Sequence, residues 1–278
     1  MYILQFQDWE AGIRPDLGMN TVFLRCRGED ILRAPESEDA LQAHPCVYGT
    51  PLLLPPNRTA GGSFSFGGVR YALPVNDPGG HHIHGELFHA DFRVLRAEAG
   101  EITGVFENTG DGFPFPFRIE VQARLGAEGY CQQFRITNTG SSPMPLTFGL
   151  HTTFVEKSPI RVPVGQLWER DETLIPTGRK LSPEPRLAAF CQNFLPDGAP
   201  VSGFFTSRGN TARIGSFFYR VSDNFNQWTL WNGSGNQGFI SIEPQQGAVN
   251  ALNSGEGLLT LLPGETECYQ TWIGRISG

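Results

Sequence analysis

Between residues 92 and 150 the chain is cut into short apolar runs, and that cutting constrains the fold more than any other feature of the sequence. Phe92–Leu95, Glu101–Glu107, Phe115–Arg124, Tyr130–Thr137 and Leu146–Leu150 are separated by Gly100, Gly110-Asp111-Gly112, Gly126–Gly129 and Asn138–Ser142. Runs rich in β-branched and aromatic residues read as strands, and Gly, Asn and Ser between them read as turns. None of the separators has room for the crossover helix that joins parallel neighbours, so the strands must return antiparallel. The expectation is all-β, an antiparallel meander rather than βαβ units.

Composition agrees. The 278 residues include 34 Gly, 21 Pro and 21 Phe, and charged residues make up 18%, below the ~25% of ordinary globular domains. Long amphipathic helices would want more Ala, Glu and Lys. Ser63–Phe66 and Val69–Leu73 alternate around Gly67-Gly68, a pair able to take the positive φ of a primed hairpin turn. Further strands are expected at Tyr2–Phe6, Thr21–Arg25 and Asp30–Leu32, and through residues 201–275, which close on a hairpin around Pro263-Gly264-Glu265. A short helix is expected over 36–44 with Ser37 as its N-cap. Residues 155–200 carry Pro159, Pro163, Pro176, Pro183, Pro185 and Pro196 and read as a long excursion over the sheet, helical at 187–193. No linker or internal repeat interrupts the chain, so residues 1–278 read as a single domain.

The net charge is −7 and basic residues nowhere cluster beyond Arg179-Lys180. A nucleic-acid partner needs a basic face, so none is expected. No apolar run approaches the ~20 residues of a membrane span, and no membrane partner is expected. Cys26, Cys46, Cys131, Cys191 and Cys268 are scattered, odd in number and without C-x-x-C spacing, which argues against a zinc knot or a disulfide framework and for a reducing compartment. The N-terminus reaches Asp8 and Glu10 without a basic region, so a cytoplasmic location is expected.

Phe239-Ile240-Ser241-Ile242-Glu243-Pro244 reads as a buried strand that delivers Glu243 and stops, because Pro244 lacks the N–H to continue a ladder. Strand-end glutamates ordinarily face solvent, yet a carboxylate held on a rigid strand is also what a general base requires. The strand after Pro145 likewise runs into His151. A glutamate with its ordinary pKa of about 4 is ionised at neutral pH and can take a proton, whereas a histidine near about 6.5 can carry one, the more so beside a carboxylate. Arg58 emerges with Asn57 from the apolar run Leu52-Leu53-Leu54-Pro55-Pro56, a place for an anchored donor, although a lone arginine is more often a surface ion-pair partner. His81, His82, His84 and His89 fall within nine residues. An extended His82-x-His84 pair would put both imidazoles on one face, as a metal wants. The cupin metal pattern adds a glutamate several residues on. Glu86 is too close for that, and only His151 and Glu243 remain as distant ligands, so no metal is assigned. His81, His82 and His89 read as solvated or loop-bonded. Without a nucleophile elbow, P-loop or nucleotide fingerprint, one base and one acid suit a cofactor-free proton shuffle.

Five blocks, in order across roughly residues 51–270, resemble the aldose 1-epimerase (galactose mutarotase) family. They are Pro56-Asn57-Arg58-x-x-Gly61-Gly62-x-Phe64 with Gly68, Tyr71, Leu73 and Asn76 beyond, His82-Ile83-His84-Gly85, Gly149-Leu150-His151-x-x-Phe154, Pro176-Thr177-Gly178, and Ile242-Glu243-Pro244 followed by Asn250-Ala251-Leu252 and Leu262-Pro263-Gly264-Glu265. The resemblance implies a large antiparallel β-sandwich of the galactose mutarotase-like supersandwich type, with few short helices. A small-molecule carbohydrate would bind in an open cleft. It implies that Glu243 takes the proton of the anomeric hydroxyl while His151 protonates the ring oxygen. His84 and Arg58 would hold the ring oxygen and hydroxyls. Phe154, Trp168, Phe204, Phe205, Trp228 and Trp231 are candidates to stack on the sugar, or else to pack the core.

Two departures bear on the substrate. Where the family reads His-Pro-Tyr-Phe, this chain has His151-Thr152-Thr153-Phe154, and where many members carry a sugar-binding aspartate it has Pro200-Val201-Ser202-Gly203-Phe204-Phe205, with Asp197 the nearest. The expectation is a mutarotase interconverting α and β anomers of an aldose. A sugar-binding or sensor domain without turnover stands as the alternative. A hexose-phosphate mutarotase is another; it needs two or three converging Arg or Lys, which sequence order does not display.

Overall fold

The computed structural model describes residues 1–195 and 197–276; Pro196, counted in the proline-rich stretch, and residues 277–278, counted in the single domain, lie outside the described residues. Two eight-stranded antiparallel sheets carry the architecture. In the first, Arg93–Glu98, Glu101–Asn108, Phe117–Gly126 and Gly129–Asn138 form the expected meander, and Thr266–Arg275, Phe217–Val221, Thr211–Ile214 and Ile160–Arg161 extend it. The second runs Pro176–Leu181, Val164–Arg170, Ser202–Ser207, Gln227–Trp231, Phe239–Gln246, Phe148–Leu150, Leu52–Leu53, with Thr153–Val155 also paired to Phe239–Gln246. Tyr2–Phe6, Trp9–Arg14, Asn20–Cys26 and Glu29–Asp30 make a smaller four-stranded sheet. The two large sheets face each other. Phe134 and Tyr269 of the first meet Phe148 of the second at ring separations of 5.4 and 5.0 Å, and Tyr219 meets Phe154 and Trp228 at 5.2 and 6.3 Å. One apolar core fills the space between them, drawing on residues from Leu4 to Ile273. The fold is an all-β antiparallel sandwich with few short helices.

Local signals account for much of this. Gly67 and Gly68 take φ of 58° and 79° and close the hairpin that pairs Phe64 with Tyr71. Ser37 caps helix Glu38–Ala43, its Oγ accepting the Ala40 N–H at 3.1 Å. The stretch 155–200 departs from expectation, because Val164–Arg170 and Pro176–Leu181 are strands of the second sheet and not an excursion over it. Pro176 opens the outermost strand, where a missing N–H costs the ladder little. The helical turn lies slightly earlier than expected, as Pro185–Ala188 and then Ala189–Gln192. Trp9–Arg14 is a strand that the sequence did not announce, since its burial does not alternate.

Pro244 does not end its strand. Phe239–Gln246 continues through it, buried at every position, with Pro244 opposite Trp228. Ile242 donates its N–H to Thr152 O at 2.9 Å, so the nitrogen of Pro244, two residues on, faces the same side. On that side the strand pairs with Thr153–Val155 up to Ser241 and with Phe148–Leu150 from Gln245 onward, leaving Pro244 opposite the break between them. No N–H is required there.

Candidate active site

His151 sits in that break. Its N–H donates to Pro51 O at 2.9 Å, and its Nε2 lies 3.4 Å from Glu243 Oε1. The two side chains are only 7% and 2% exposed. Alternation along the strand sends Ile240 and Ile242 into the core and Ser241, Glu243 and Gln245 to the opposite face. Gln245 Nε2 donates to Glu243 Oε2 at 3.3 Å. Thr153 Oγ1 stands 2.9 Å from Ser241 Oγ and 3.4 Å from His151 Nδ1, so the changed family position backs the histidine with a hydroxyl.

Arg58 opens the two-residue strand Arg58–Thr59, which pairs with His82–Ile83, and His84 is the first residue after that second strand. Asp77 takes Arg58 in a two-pronged pair, Nη2 to Oδ1 at 3.0 Å and Nε to Oδ2 at 3.3 Å. Asn57 O accepts the His84 N–H at 3.0 Å, and Asn250 Oδ1 accepts the Ala60 N–H at 3.0 Å, tying the fifth sequence block to the first. His84 has φ +70°, which breaks the extended alternation. The two imidazoles of His82-x-His84 therefore do not share a face. His82 Nδ1 bonds Pro74 O at 2.7 Å, whereas His84 packs edge-on against His151 at 5.3 Å. His81 Nδ1 accepts the Gly61 N–H at 3.1 Å, and both His81 and His82 are buried rather than solvated. Among the described residues no three His, Cys, Asp or Glu side chains are grouped to hold a metal ion.

A cavity of about 260 Å³ opens over this set, with Asn57, Arg58, His84, His151 and Glu243 in its wall. It is somewhat below the ~300–1,000 Å³ of sites for drug-sized ligands. Of the candidate stacking aromatics, Trp231 and Phe204 line it, Trp231 lying edge-on to His151 at 5.8 Å. Phe154, Phe205 and Trp228 pack the core, and Trp168 joins Phe204 in a small cluster beside the cavity. Ser202 from the departed aspartate segment also lines the cavity, whereas Asp197 is turned to Arg186 at 2.7 Å. Cys46, Thr229, Asp77 and Gln245 carry no motif and were not singled out by the sequence. Thr229 comes in by strand pairing and Asp77 through Arg58, whereas Gln245 stands two residues from Glu243 on its own strand.

Burial decides the electrostatics. It pushes Glu243 up to about 8, against the opposing pull of the Gln245 hydrogen bond and the Arg58 charge, and pushes His151 down to about 4. His84 is held well below its ordinary value, first by burial and then by the positive charge that His151, Arg58 and His82 carry when protonated. Burial thus favours the neutral carboxyl and the neutral imidazole in the unliganded site, against the expected ionised glutamate and charged histidine. At neutral pH the pair holds one proton.

The architecture is an antiparallel β-sandwich with a buried carboxyl–imidazole pair in the wall of an open cavity. The chain belongs to the aldose 1-epimerase family, whose match spans residues 24–195 and so includes Arg58, His84 and His151 but ends before Glu243. The uncharacterized protein YihR of Escherichia coli (strain K12) is 29% identical over 143 residues, 48% of this chain and 46% of that protein, so the chain matches about half the length of that relative. A galactose mutarotase-like protein from Clostridium acetobutylicum superposes with TM-score 0.90 at 24% identity, over 99% of this chain and 95% of the other. The GalM/aldose epimerase homologue from C. elegans gives 0.81 at 15%, over 99% of both chains. These likenesses establish the fold.

Proposed function

We propose that the protein is a mutarotase, interconverting the α and β anomers of an aldose without a cofactor. The observation that carries this is the buried His151–Glu243 pair, 3.4 Å apart, opening onto a cavity of about 260 Å³. Mutarotation needs one proton removed from the anomeric hydroxyl and one delivered to the ring oxygen. A pair holding a single proton can do both. Sugar hydroxyls donating to the Glu243 carboxylate favour its charged form and move the proton to His151. Glu243 then takes the anomeric proton as His151 protonates the ring oxygen and the C1–O bond opens. Rotation about C1–C2 turns the other aldehyde face to the ring hydroxyl, and closure returns both protons. Arg58 and His84 orient the sugar as donors.

The test is the relaxation of freshly dissolved pure anomers, followed by polarimetry or NMR. Wild type should accelerate it, and Glu243→Gln and His151→Gln should each lose on the order of 10²–10⁴-fold, the usual contribution of a positioned acid or base. Glu243→Gln relaxing sugars as fast as wild type removes Glu243 from the role. Sugar binding without acceleration across a panel would favour the sensor alternative, which the absence of an aspartate from the 200–205 wall keeps in view.

A further inference from the structure

A second cavity, of about 230 Å³, shares no lining residue with the one over Glu243 and His151. The two lie on either side of one turn. His84 lines the first; Gly85 is bridged to Leu54, and Leu54 and Glu86 line the second. The second cavity opens where two strands of the meander end, with Asn108 paired to Phe117. Phe113, from the loop between those strands, packs back onto the pair. The ring centres of Phe106 and Phe113 each lie 6.4 Å from that of Phe117. Phe113 and Phe117 are buried and make an apolar floor, whereas Glu86, Glu107 and Asp111 are exposed at the mouth.

Exposed carboxylates are ordinarily no more than a solvated surface. Asn108 sets this mouth apart. Only 8% exposed, it directs both amide hydrogens away from the cavity, Nδ2 donating to Phe113 O at 2.7 Å and to Phe115 O at 2.8 Å. Those two bonds fix the orientation of the amide, and its Oδ1 accepts no hydrogen bond among the described residues. That oxygen lies toward the cavity wall, since a Cβ built on Gly112, which lines the cavity, would stand 4.0 Å from it and 3.6 Å from Glu86 Cβ. A buried acceptor without a donor is costly, and native folds rarely leave one. Nothing in the lining supplies the donor. The Thr109 hydroxyl gives its hydrogen to Asp111 Oδ2 at 2.7 Å, and no Lys, Arg or His lines the cavity. Arg118, opposite Glu107 in register, is turned to Glu120 at 3.1 Å. None of Glu86, Glu107 and Asp111 forms an ion pair among the described residues.

Acceptors and negative charge over an apolar floor call for a cation that brings its own N–H donors and an apolar body. A metal ion does not answer, because among the described residues no three carboxylates are grouped to hold one. The phenyl faces add attraction for a cation. A dry apolar cavity of ~150 Å³ accepts benzene, so about 230 Å³ holds such a ring with a short arm. We infer that this cavity is a second binding site, for a small organic ammonium on an aromatic body. The ring lies among Phe106, Phe113 and Phe117, and the ammonium donates to Asn108 Oδ1 and faces the carboxylates. The inference uses no residue of the acid–base site and stands whether or not the protein is a mutarotase.

The test is NMR titration of the nitrogen-15-labelled full chain with 2-phenylethylammonium and two probes of similar shape, neutral 2-phenylethanol and anionic 3-phenylpropionate. The ammonium should bind saturably, moving the amides of residues 86–87 and 106–113. It should bind about 3- to 10-fold more tightly than the alcohol, the scale of a few exposed charge contacts, and that advantage should shrink as salt rises. The carboxylate should bind most weakly. The double variant Glu86→Gln with Glu107→Gln should bring the ammonium down to the affinity of the alcohol and leave the alcohol unchanged. Gly112→Leu should weaken both, because its side chain enters the cavity at ordinary contact distances from a backbone that needs no positive φ. If Gly112→Leu does not fold, the double variant decides alone. The inference is overturned by the absence of saturable binding, by an alcohol or carboxylate bound as tightly as the ammonium, or by a folded double variant that keeps the preference. It is equally overturned if the moving amides surround His151 and the binding disappears in Glu243→Gln, which would place the probe in the other cavity.

Discussion

Burial moves Glu243 and His151 in opposite directions from their ordinary values because each is more easily desolvated in its neutral form, and for a carboxyl that means protonated while for an imidazole it means bare. The values of about 8 and about 4 bracket the range in which the pair holds one proton. Below it both groups are protonated and nothing can accept the anomeric proton; above it neither can supply the ring oxygen. The profile of kcat/KM against pH, which reports the free enzyme, should be a bell with limbs near pH 4 and pH 8 that belong to the pair jointly. A profile flat across pH 5–9 would remove the pair from the chemistry. Asp77 offers a second residue-scale prediction. Its carboxylate pairs with a mostly buried Arg58, their side chains being 8% and 15% exposed. Asp77→Asn strands that charge and should destabilise the fold by roughly 3 kcal/mol in urea titration, while raising KM more than it lowers kcat because Arg58 loses its orientation.

At the scale of elements, the site depends on short irregular pieces seated on long regular ones. The turn after His84 is an example. Gly85 has φ +65°, and a Cβ there would lie 1.9 Å from the Leu54 carbonyl oxygen. Gly85→Ala should therefore cost on the order of 3 kcal/mol and should lose activity even where the protein remains folded, because His84 shifts against His151; urea titration and anomer relaxation check the two parts. That this turn mattered was legible as His84-Gly85 within a family block, just as the meander and the Gly67-Gly68 hairpin were legible from alternation and turn chemistry. What was not legible depended on partners far away in sequence. Pro176 looked like a strand breaker because its place at a sheet edge is set by neighbours, and Pro244 looked like a terminus because the break at His151 that accommodates it lies some ninety residues earlier. Arg58, His84, His151 and Glu243 could be picked out from motifs, but the opposite shifts of the last two could not, since they follow from how deeply the finished sandwich buries them.

Depth of burial belongs to the whole molecule, and so does its consequence for stability. An unfolded Glu243 ionises from about 4.5, whereas the folded one holds its proton up to about 8. Its contribution is therefore fully present below pH 4.5 and is lost as pH rises toward 8. His151 works from the other side. Its folded value of about 4 lies below its unfolded 6.5, so its contribution is present above pH 6.5 and is lost as pH falls toward 4. Between those limits the sandwich tolerates the pair best, and outside them it works against its own site. Glu243→Gln keeps the shape and the hydrogen-bonding capacity but removes the alkaline loss. The variant should unfold at higher urea than wild type at pH 8.5, by an amount on the order of 4 kcal/mol, and the gap should close by pH 5. The two pH values must be compared on the same proteins, because a gap of equal size at both would mean that the glutamine merely packs better, and a variant less stable than wild type at pH 8.5 would mean that the carboxyl is not held neutral by the fold at all. A stability gain that appears only where the carboxyl would otherwise ionise, in a variant that has lost turnover, would tie the buried carboxyl of Glu243 to the chemistry proposed for it.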